Sequence, residues 1–340
     1  MVDIEPRLEP DCDLTSTNTL ALPSRAAWLL RAGTADEIVS GLRFAAARGW
    51  PVRVLGGGSN SLLPPSLPGL TIRPEIDGIA FDSGPDDGVE VEVGAGVSWH
   101  EFVTASVERG LWGVENLALI PGCTGAAPIQ NIGAYGVELS DVLSWVEFID
   151  RRDLSTHRVS AEACELGYRH SLFKGALADV AVITRLGLQL SRRATPRLDY
   201  GVLGERVSAT PSVREIFEAV CAIRREKLPD PVTTPNAGSF FKNPVVDRAA
   251  CDALLAETPD MPHYPLADGR AKLAAGWLID QCGWKGARDG AFGVHDRQAL
   301  VLVHFGGGTL AGLLAFAERI VVDVRQRFGV TLEREPGIAK

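Results

Sequence analysis

The chain has 340 residues, 46% of them apolar and 23% charged, with a formal net charge of −9. That length suits two or three folding units, and the composition is globular, not disordered. The acidic balance excludes a broad nucleic-acid surface, which needs clustered excess Lys and Arg, but leaves room for an anionic small molecule held by a few local cations.

The first residues, Met1-Val2-Asp3-Ile4-Glu5-Pro6, lack the basic region and apolar core of a signal peptide. No apolar run approaches the roughly 18 residues needed to span a bilayer. A cytoplasmic protein without membrane contact is therefore expected. Cys12, Cys123, Cys164, Cys221, Cys251 and Cys282 are scattered with no close pair, which suits reduced thiols. The histidines show no ligand spacing, and no metal site is expected.

In chain order, three helices carry capping-box starts: Thr34 with Glu37, Ser98 with Glu101, and Ser212 with Glu215. The first is predicted to run to Gly49 with Ile38, Leu42 and Ala45 on one face, the second to Gly110. The third carries Ile216, Val220 and Ile223 inward, and a last long helix from Thr309 stops at Gly329. Between them, residues 52–55, 89–93, 142–149, 180–190 and 299–303 read as strands. A hairpin turn at Asp153-Leu154 brings antiparallel pairing into the interleaved pattern, which favours α+β over a doubly wound sheet. The polar stretch 191–196 and the proline-rich loop 226–236 are candidate junctions.

Two glycine-rich segments carry the chemical signal. Leu55-Gly56-Gly57-Gly58-Ser59-Asn60 follows a short strand, so it is either a flexible turn or a loop whose bare amides approach phosphate oxygens, with Ser and Asn adding hydrogen bonds. The stretch from Ile120 to Gly136 is built of small residues, including Pro121, Gly122, Thr124, Gly125, Ala126, Ile129, Gly133 and Tyr135. It suits main chain lying flat against a large planar or pyrophosphate-bearing ligand, or a loop packed under a sheet. Cys123 reads as a small spacer, with no base beside it. Gly306-Gly307-Gly308 follows an apolar strand and opens a helix, but too little chain follows for a dinucleotide domain, so it reads as a loop leading into that helix.

Taken together, these segments resemble the UDP-N-acetylenolpyruvoylglucosamine reductases. The resemblance rests on 55–60 and 115–136, then on Gly167-Tyr168-Arg169-His170-Ser171-Leu172-Phe173-Lys174, Lys227-Leu228-Pro229-Asp230-Pro231, Asn236-Ala237-Gly238-Ser239-Phe240-Phe241-Lys242-Asn243-Pro244 and 272–281. Order and spacing match from about Asn18 to Glu335; each motif alone is weak and the ordered set is specific. The resemblance implies an FAD-binding domain of the vanillyl-alcohol-oxidase (PCMH) type, over 15–193, followed by a smaller α/β substrate-binding domain over 200–340. It also implies a monomer in which NADPH reduces FAD, and hydride then passes to the enolpyruvyl group of UDP-N-acetylglucosamine enolpyruvate, giving UDP-N-acetylmuramate for peptidoglycan.

By the same resemblance, FAD is held by Gly56, Gly57, Gly58, Ser59, Asn60, Pro121, Gly122, Thr124, Gly125, Ala126, Ile129, Gly133, Tyr135 and Gly136. Arg169 and a protonated Glu335 receive the charge that hydride addition pushes onto the enolpyruvyl carboxylate, and Ser239 supplies the proton to the adjacent carbon. Tyr200, Arg224, Lys227, Lys242 and Asn243 line the UDP-sugar site, with Tyr200 marking the subclass whose tyrosine-bearing loop closes over substrate, and Tyr168 either lines the same pocket or packs in the core. One departure is Pro336, which cannot donate to a ladder, so the last strand is expected to end there. Glu333 and Glu335 share a strand face, so Glu335 is assigned by alignment. An oxidase of the same flavin fold would not need the motifs of the second half, and a binding protein without turnover would not need Arg169, Ser239 and Glu335 together.

Overall fold

The computed structural model describes residues 6–84 and 86–339; residues 1–5, on which the reading of a missing leader rests, lie outside the described residues. Two compact units form. The first comprises Met1–Cys12, Arg25–Gly57 and Leu67–Arg224, the second Asp13–Ser24, Gly58–Ser66 and Arg225–Lys340.

In the first unit, helix α1 (Ala35–Ala46) starts as predicted: the Thr34 hydroxyl accepts from Glu37 N–H while the Glu37 carboxylate accepts from Thr34 N–H. It ends before Gly49, and it buries Ile38, Leu42 and Ala45 against Leu30, Leu70 and Ile72. Those partners belong to a four-stranded sheet in the order Leu8–Asp13, Arg25–Ala32, Ser66–Pro74, Val52–Val54, the last two parallel. A second sheet is antiparallel throughout, in the order Thr156–Ser160, Leu143–Asp150, Ala181–Ser191, Gly88–Gly94, Ile79–Ser83. Its Gly88–Gly94 strand alternates as period-2 patterning requires, with Val89, Val91 and Val93 buried between Glu90 and Glu92.

Helix α2 (Trp99–Glu108) begins after Ser98, but the predicted box does not close: the Ser98 side chain makes no cap hydrogen bond. The main chain of Ser98 forms a bridge with that of Cys123, and Trp99 N–H donates to Gly122 O, so the helix start is held by the glycine-rich segment. Helix α3 (Val213–Lys227) forms half of its box, Glu215 N–H donating to Ser212 Oγ, while the Glu215 carboxylate turns to Ser208 N–H and Oγ. Its Val213, Ile216, Val220 and Ile223 lie in the first unit's core, each apolar side chain contributing about 2 kcal/mol.

The domain bounds implied by the resemblance part between 193 and 200, while the compact units part after Arg224, beside the other candidate junction at 226–236. Two short early segments, by contrast, join the second: Leu20, Leu22 and Leu62 lie in one core with Phe240, Phe241 and Leu313.

The second unit holds an antiparallel sheet in the order Asn236–Ser239, Val301–His304, Phe292–Val294, Arg288–Asp289, and a smaller one in the order Val245–Val246, Ala271–Leu273, His263–Pro265. Around them stand α4 (Arg248–Glu257), α5 (Ala275–Gln281) and α6 (Leu310–Phe328). Helix α6 has the expected ends, with Thr309 Oγ1 accepting from Gly312 N–H at 3.2 Å and Gly329 at φ 68°. The Gly306–Gly308 loop is a structural helix start: Gly308 N–H donates to His304 Nε2 at 2.9 Å, and a Cβ there would strike the Phe292 ring. At Pro336 the antiparallel pairing stops as predicted, but the chain does not leave sheet structure. Gly337–Ile338 pairs parallel with Ser61–Leu62.

Candidate active site

Within the first unit, Gly56 and Gly57 meet the second glycine-rich segment. A Cβ on Gly57 would lie 2.7 Å from Gly122 Cα, one on Gly56 would lie 2.9 Å from Cys123 Sγ, and one on Gly125 would lie 2.6 Å from Ala95 Cβ. Side chains at these positions would separate the loops. Cys123 is therefore a packing partner of Gly56, the spacer its sequence context suggested. The 117–126 segment is sewn to the end of the Gly88–Gly94 strand by Thr124 N–H to Val97 O (2.9 Å), Gly125 N–H to Ala95 O (3.0 Å) and Thr124 Oγ1 to Gly94 O (2.5 Å). Trp99 Nε1 holds Leu117 O at 3.0 Å. Among the described residues, no main-chain carbonyl accepts from Gly56, Gly57 or Gly58 N–H, which leaves a run of small-residue amides of the kind that binds a pyrophosphate. Ala126 and Ile129 lie in the 3-10 helix Thr124–Gln130 that follows.

Downstream, the main chain takes left-handed values at Asn131 (φ 46°), Tyr135 (φ 49°) and Gly136 (φ 79°). Asn131 is buried and pins the turn, donating to Glu138 Oε2 at 2.7 Å and accepting from Ser140 N–H at 3.0 Å. Gly133 pairs with Glu138 in a short hairpin. Sequence reading passed over Asn131, although its place between two small-residue runs is the expected signal for a left-handed cap.

Arg169 sits at the tip of a tight reverse turn in which Gly167 N–H donates to His170 O (3.0 Å) and His170 N–H donates to Gly167 O (3.1 Å). Its φ of 54° is uncommon for a non-glycine residue, and such strain concentrates at functional sites. Ser171 Oγ donates to Ile129 O at 2.7 Å, and Lys174 Nζ reaches both Gln130 Oε1 (3.4 Å) and Arg169 O (3.3 Å). The arginine turn is thus stapled to the glycine-rich segment. Tyr168 is exposed and its ring lies 5.5 Å from the Arg169 guanidinium.

Tyr135 and Tyr200 form an edge-to-face pair, centroids 6.0 Å apart at 82°. Beside Tyr135 lies Arg224, whose Nε is buried with no hydrogen-bond partner among the described residues. Burial lowers its pKa below the usual guanidinium value, against the pull of Tyr135 and Cys221. A desolvated guanidinium without a carboxylate is costly, and a phosphate or carboxylate ligand would relieve that cost.

In the second unit, Ser239 ends the Asn236–Ser239 strand opposite Val301, after a bulge that contains Gly238 (φ 67°). Asn236 fixes the bulge, accepting from Gly238 N–H (2.8 Å) and donating to Pro229 O and Thr234 O. The following residues pair antiparallel with the chain's end: Phe241 bridges Arg334, Lys242 N–H donates to Glu333 O, and Glu335 N–H donates to Phe240 O. This pairing separates the two carboxylates. Glu333 is exposed and salt-bridged to Lys242 Nζ at 3.1 Å, while Glu335 is half-buried opposite Phe240. Asn243 Oδ1 accepts from Ala275 N–H at 3.0 Å and caps α5, and Lys227 is exposed at the end of α3.

Asp150, Asp153 and His157 bring ligand atoms within 4.8 Å of one another, but Arg152 and Ser155 already occupy the two carboxylates. All six cysteines are free.

Residues 26–160 match a family model described as an FAD binding domain, and the chain is accordingly a two-unit flavoprotein. Residues 230–339 match a second, the UDP-N-acetylenolpyruvoylglucosamine reductase C-terminal domain. The chain belongs to the UDP-N-acetylenolpyruvoylglucosamine reductase family: it is 50% identical to the Pseudomonas aeruginosa enzyme of that name over 335 residues, covering 97% of this chain and 98% of that one. The Ralstonia nicotianae enzyme is 47% identical over 336 residues, covering 97% and 98%. The crystal structure of UDP-N-acetylenolpyruvylglucosamine reductase from Thermus caldophilus superposes with a TM-score of 0.68 at 25% identity, covering 98% of this chain and 99% of that one.

Proposed function

We infer that this chain reduces the enolpyruvyl group of UDP-N-acetylglucosamine enolpyruvate with NADPH, by way of FAD, to give UDP-N-acetylmuramate for peptidoglycan synthesis. The observation that carries the reading is the pairing of an FAD-type glycine cradle with a second unit of the reductase family in one chain. The bare amides of 56–58 and the small residues of 121–136 fit a pyrophosphate and a planar ring, and they would hold FAD. When bound, FAD accepts hydride from NADPH and supplies it to the terminal carbon of the enolpyruvyl double bond.

The chain's own residues manage charge and one proton. Arg169 binds the enolpyruvyl carboxylate and stabilises the negative charge that develops there more strongly in the transition state than in the ground state. Glu335, protonated, shares that task by donating a hydrogen bond to the same carboxylate. Ser239 delivers a proton to the carbon next to the carboxylate, and because a hydroxyl is a weak acid, hydrogen bonding within the site assists it. Arg224, Lys227, Lys242 and Asn243 hold the diphosphate and sugar, with Tyr168 and Tyr200 covering them; the salt bridge of Lys242 with Glu333 opens when the diphosphate binds.

No helix of the described residues is long and apolar enough to cross a membrane. We place the enzyme in the cytoplasm, acting as a monomer. Steady-state turnover tests the reading: NADPH consumption that depends on the enolpyruvyl substrate, with UDP-N-acetylmuramate identified by mass, supports it. NADPH consumption that proceeds equally without that substrate contradicts it.

A further inference from the structure

Asn116 lies in the 3-10 turn Glu115–Leu117 and is fully buried. Its Nδ2 donates to two main-chain carbonyls from distant parts of the first unit, Tyr135 O at 2.8 Å and Arg197 O at 2.9 Å. Its Oδ1 is buried with no hydrogen-bond partner among the described residues. That fixes the amide's orientation, because a flipped amide would set its oxygen against two carbonyl oxygens.

The turn that carries Asn116 is itself anchored at both ends. Glu115 Oε2 accepts from Gly113 N–H at 2.7 Å, and Leu117 O accepts from buried Trp99 Nε1 at 3.0 Å. From this fixed point one side chain reaches the left-handed backbone of Tyr135 and the strand-free segment that leads, three residues on, to Tyr200. The rings of those tyrosines meet edge to face at 6.0 Å, and a Cβ on Gly136 would lie 3.5 Å from Tyr200 Cβ. Tyr200 is 53% exposed.

We propose that Asn116 is a positioning residue for substrate: its two-carbonyl clamp holds the Tyr135 and Tyr200 segments together and so sets where Tyr200 stands over the UDP-sugar. This rests on the reading of Tyr200 as a substrate residue. The pairing needs two donors from one short, uncharged side chain. An amide supplies them; a carboxylate of the same shape supplies none.

The test is a cycle of Asn116→Asp, Tyr200→Ala and the double variant, each as FAD-loaded enzyme. The expected N116D enzyme keeps its bound flavin, raises KM for the enolpyruvyl substrate about tenfold, and keeps kcat within about threefold. In the Y200A background N116D then raises KM by no more than about twofold, because the two residues act through one another. Full additivity in that background, or an unchanged KM in N116D alongside a raised KM in Y200A, overturns the clamp and leaves the substrate reading standing. An unchanged KM in Y200A removes the substrate reading and the proposal with it. Asn116→Ser, which keeps one donor without burying a charge, replaces N116D where the latter does not fold; its expected KM lies between the two, and a wild-type value overturns the proposal.

Discussion

Gly57 and Gly122 meet back to back, so closely that a Cβ on the first would lie 2.7 Å from the Cα and 3.2 Å from the carbonyl carbon of the second. Both neighbours are main chain, and neither can rotate away. Gly57→Ala must therefore part the two loops that form the cradle. We predict that G57A remains folded but binds FAD at least about tenfold more weakly, measured by flavin titration of the apoprotein. Gly33→Ala is the control: the nearest atom to its added Cβ is Glu37 Oε2 at 3.6 Å, and flavin binding should be unchanged.

The division of labour between the proposed catalytic residues separates the two half-reactions. Glu335→Gln and Ser239→Ala should each slow substrate-driven reoxidation of the flavin by about a hundredfold or more. Reduction by NADPH should change by less than about threefold, since neither residue is asked to act there. Stopped-flow absorbance resolves the two phases. Equal slowing of both would remove Glu335 and Ser239 from the chemistry of the enolpyruvyl group. Glu333→Gln, which alters the exposed partner of Lys242, should leave both half-reactions near wild type and affect only the KM of the UDP-sugar.

Three sequence motifs of one kind had three different outcomes, which shows where local reading stops. Thr34 and Glu37 close their box within the four-residue window, the Glu37 carboxylate also accepting from the adjacent Gly33 N–H at 2.7 Å. The main chain of Ser98 forms a bridge with that of Cys123, and Glu215 turns to Ser208. Both exceptions involve partners outside the four-residue window that defines the motif. Strands and helix faces were legible because period and burial are local: Val89, Val91 and Val93, or Ile216, Val220 and Ile223, declare themselves. The glycine segments and the ordered motifs were legible as a set through family resemblance. Asn116 was not, since its partners lie 19 and 81 residues away and its type is unremarked in a turn. The membership of 13–24 and 58–66 in the second unit was hidden for the same reason.

Acid stability should carry the mark of one turn. Asp150 accepts from Arg152 N–H and from its guanidinium at 2.6 Å, and those bonds hold its pKa at about 2, well below the usual carboxylate range. A lowered folded-state pKa stabilises the protein above the unfolded value near pH 4, and that stabilisation is lost as pH falls toward 2. Arg152 is mostly exposed, so solvent screening keeps the effect small. Asp150→Asn should lower the urea midpoint slightly at neutral pH, and the difference from wild type should vanish at the acid end.

Glu115 should act in the opposite sense. Burial raises its pKa, opposed by the main-chain amides around Gly113. A raised folded-state value means stability that is present in acid, below the unfolded pKa, and lost as pH rises through the folded pKa. Glu115→Gln, which keeps an oxygen for Gly113 N–H, should flatten that part of the stability profile. Urea midpoints across the weakly acidic range test this, and an unchanged slope would refute it.

The central claim is that this chain carries hydride from NADPH to an enolpyruvyl group by way of FAD, and anaerobic absorbance of the FAD-loaded protein tests it most directly. NADPH should bleach the flavin, and UDP-N-acetylglucosamine enolpyruvate added next should restore its colour with no oxygen present. Flavin that bleaches but recovers only when oxygen is admitted, or a protein that takes up no FAD, would contradict the account.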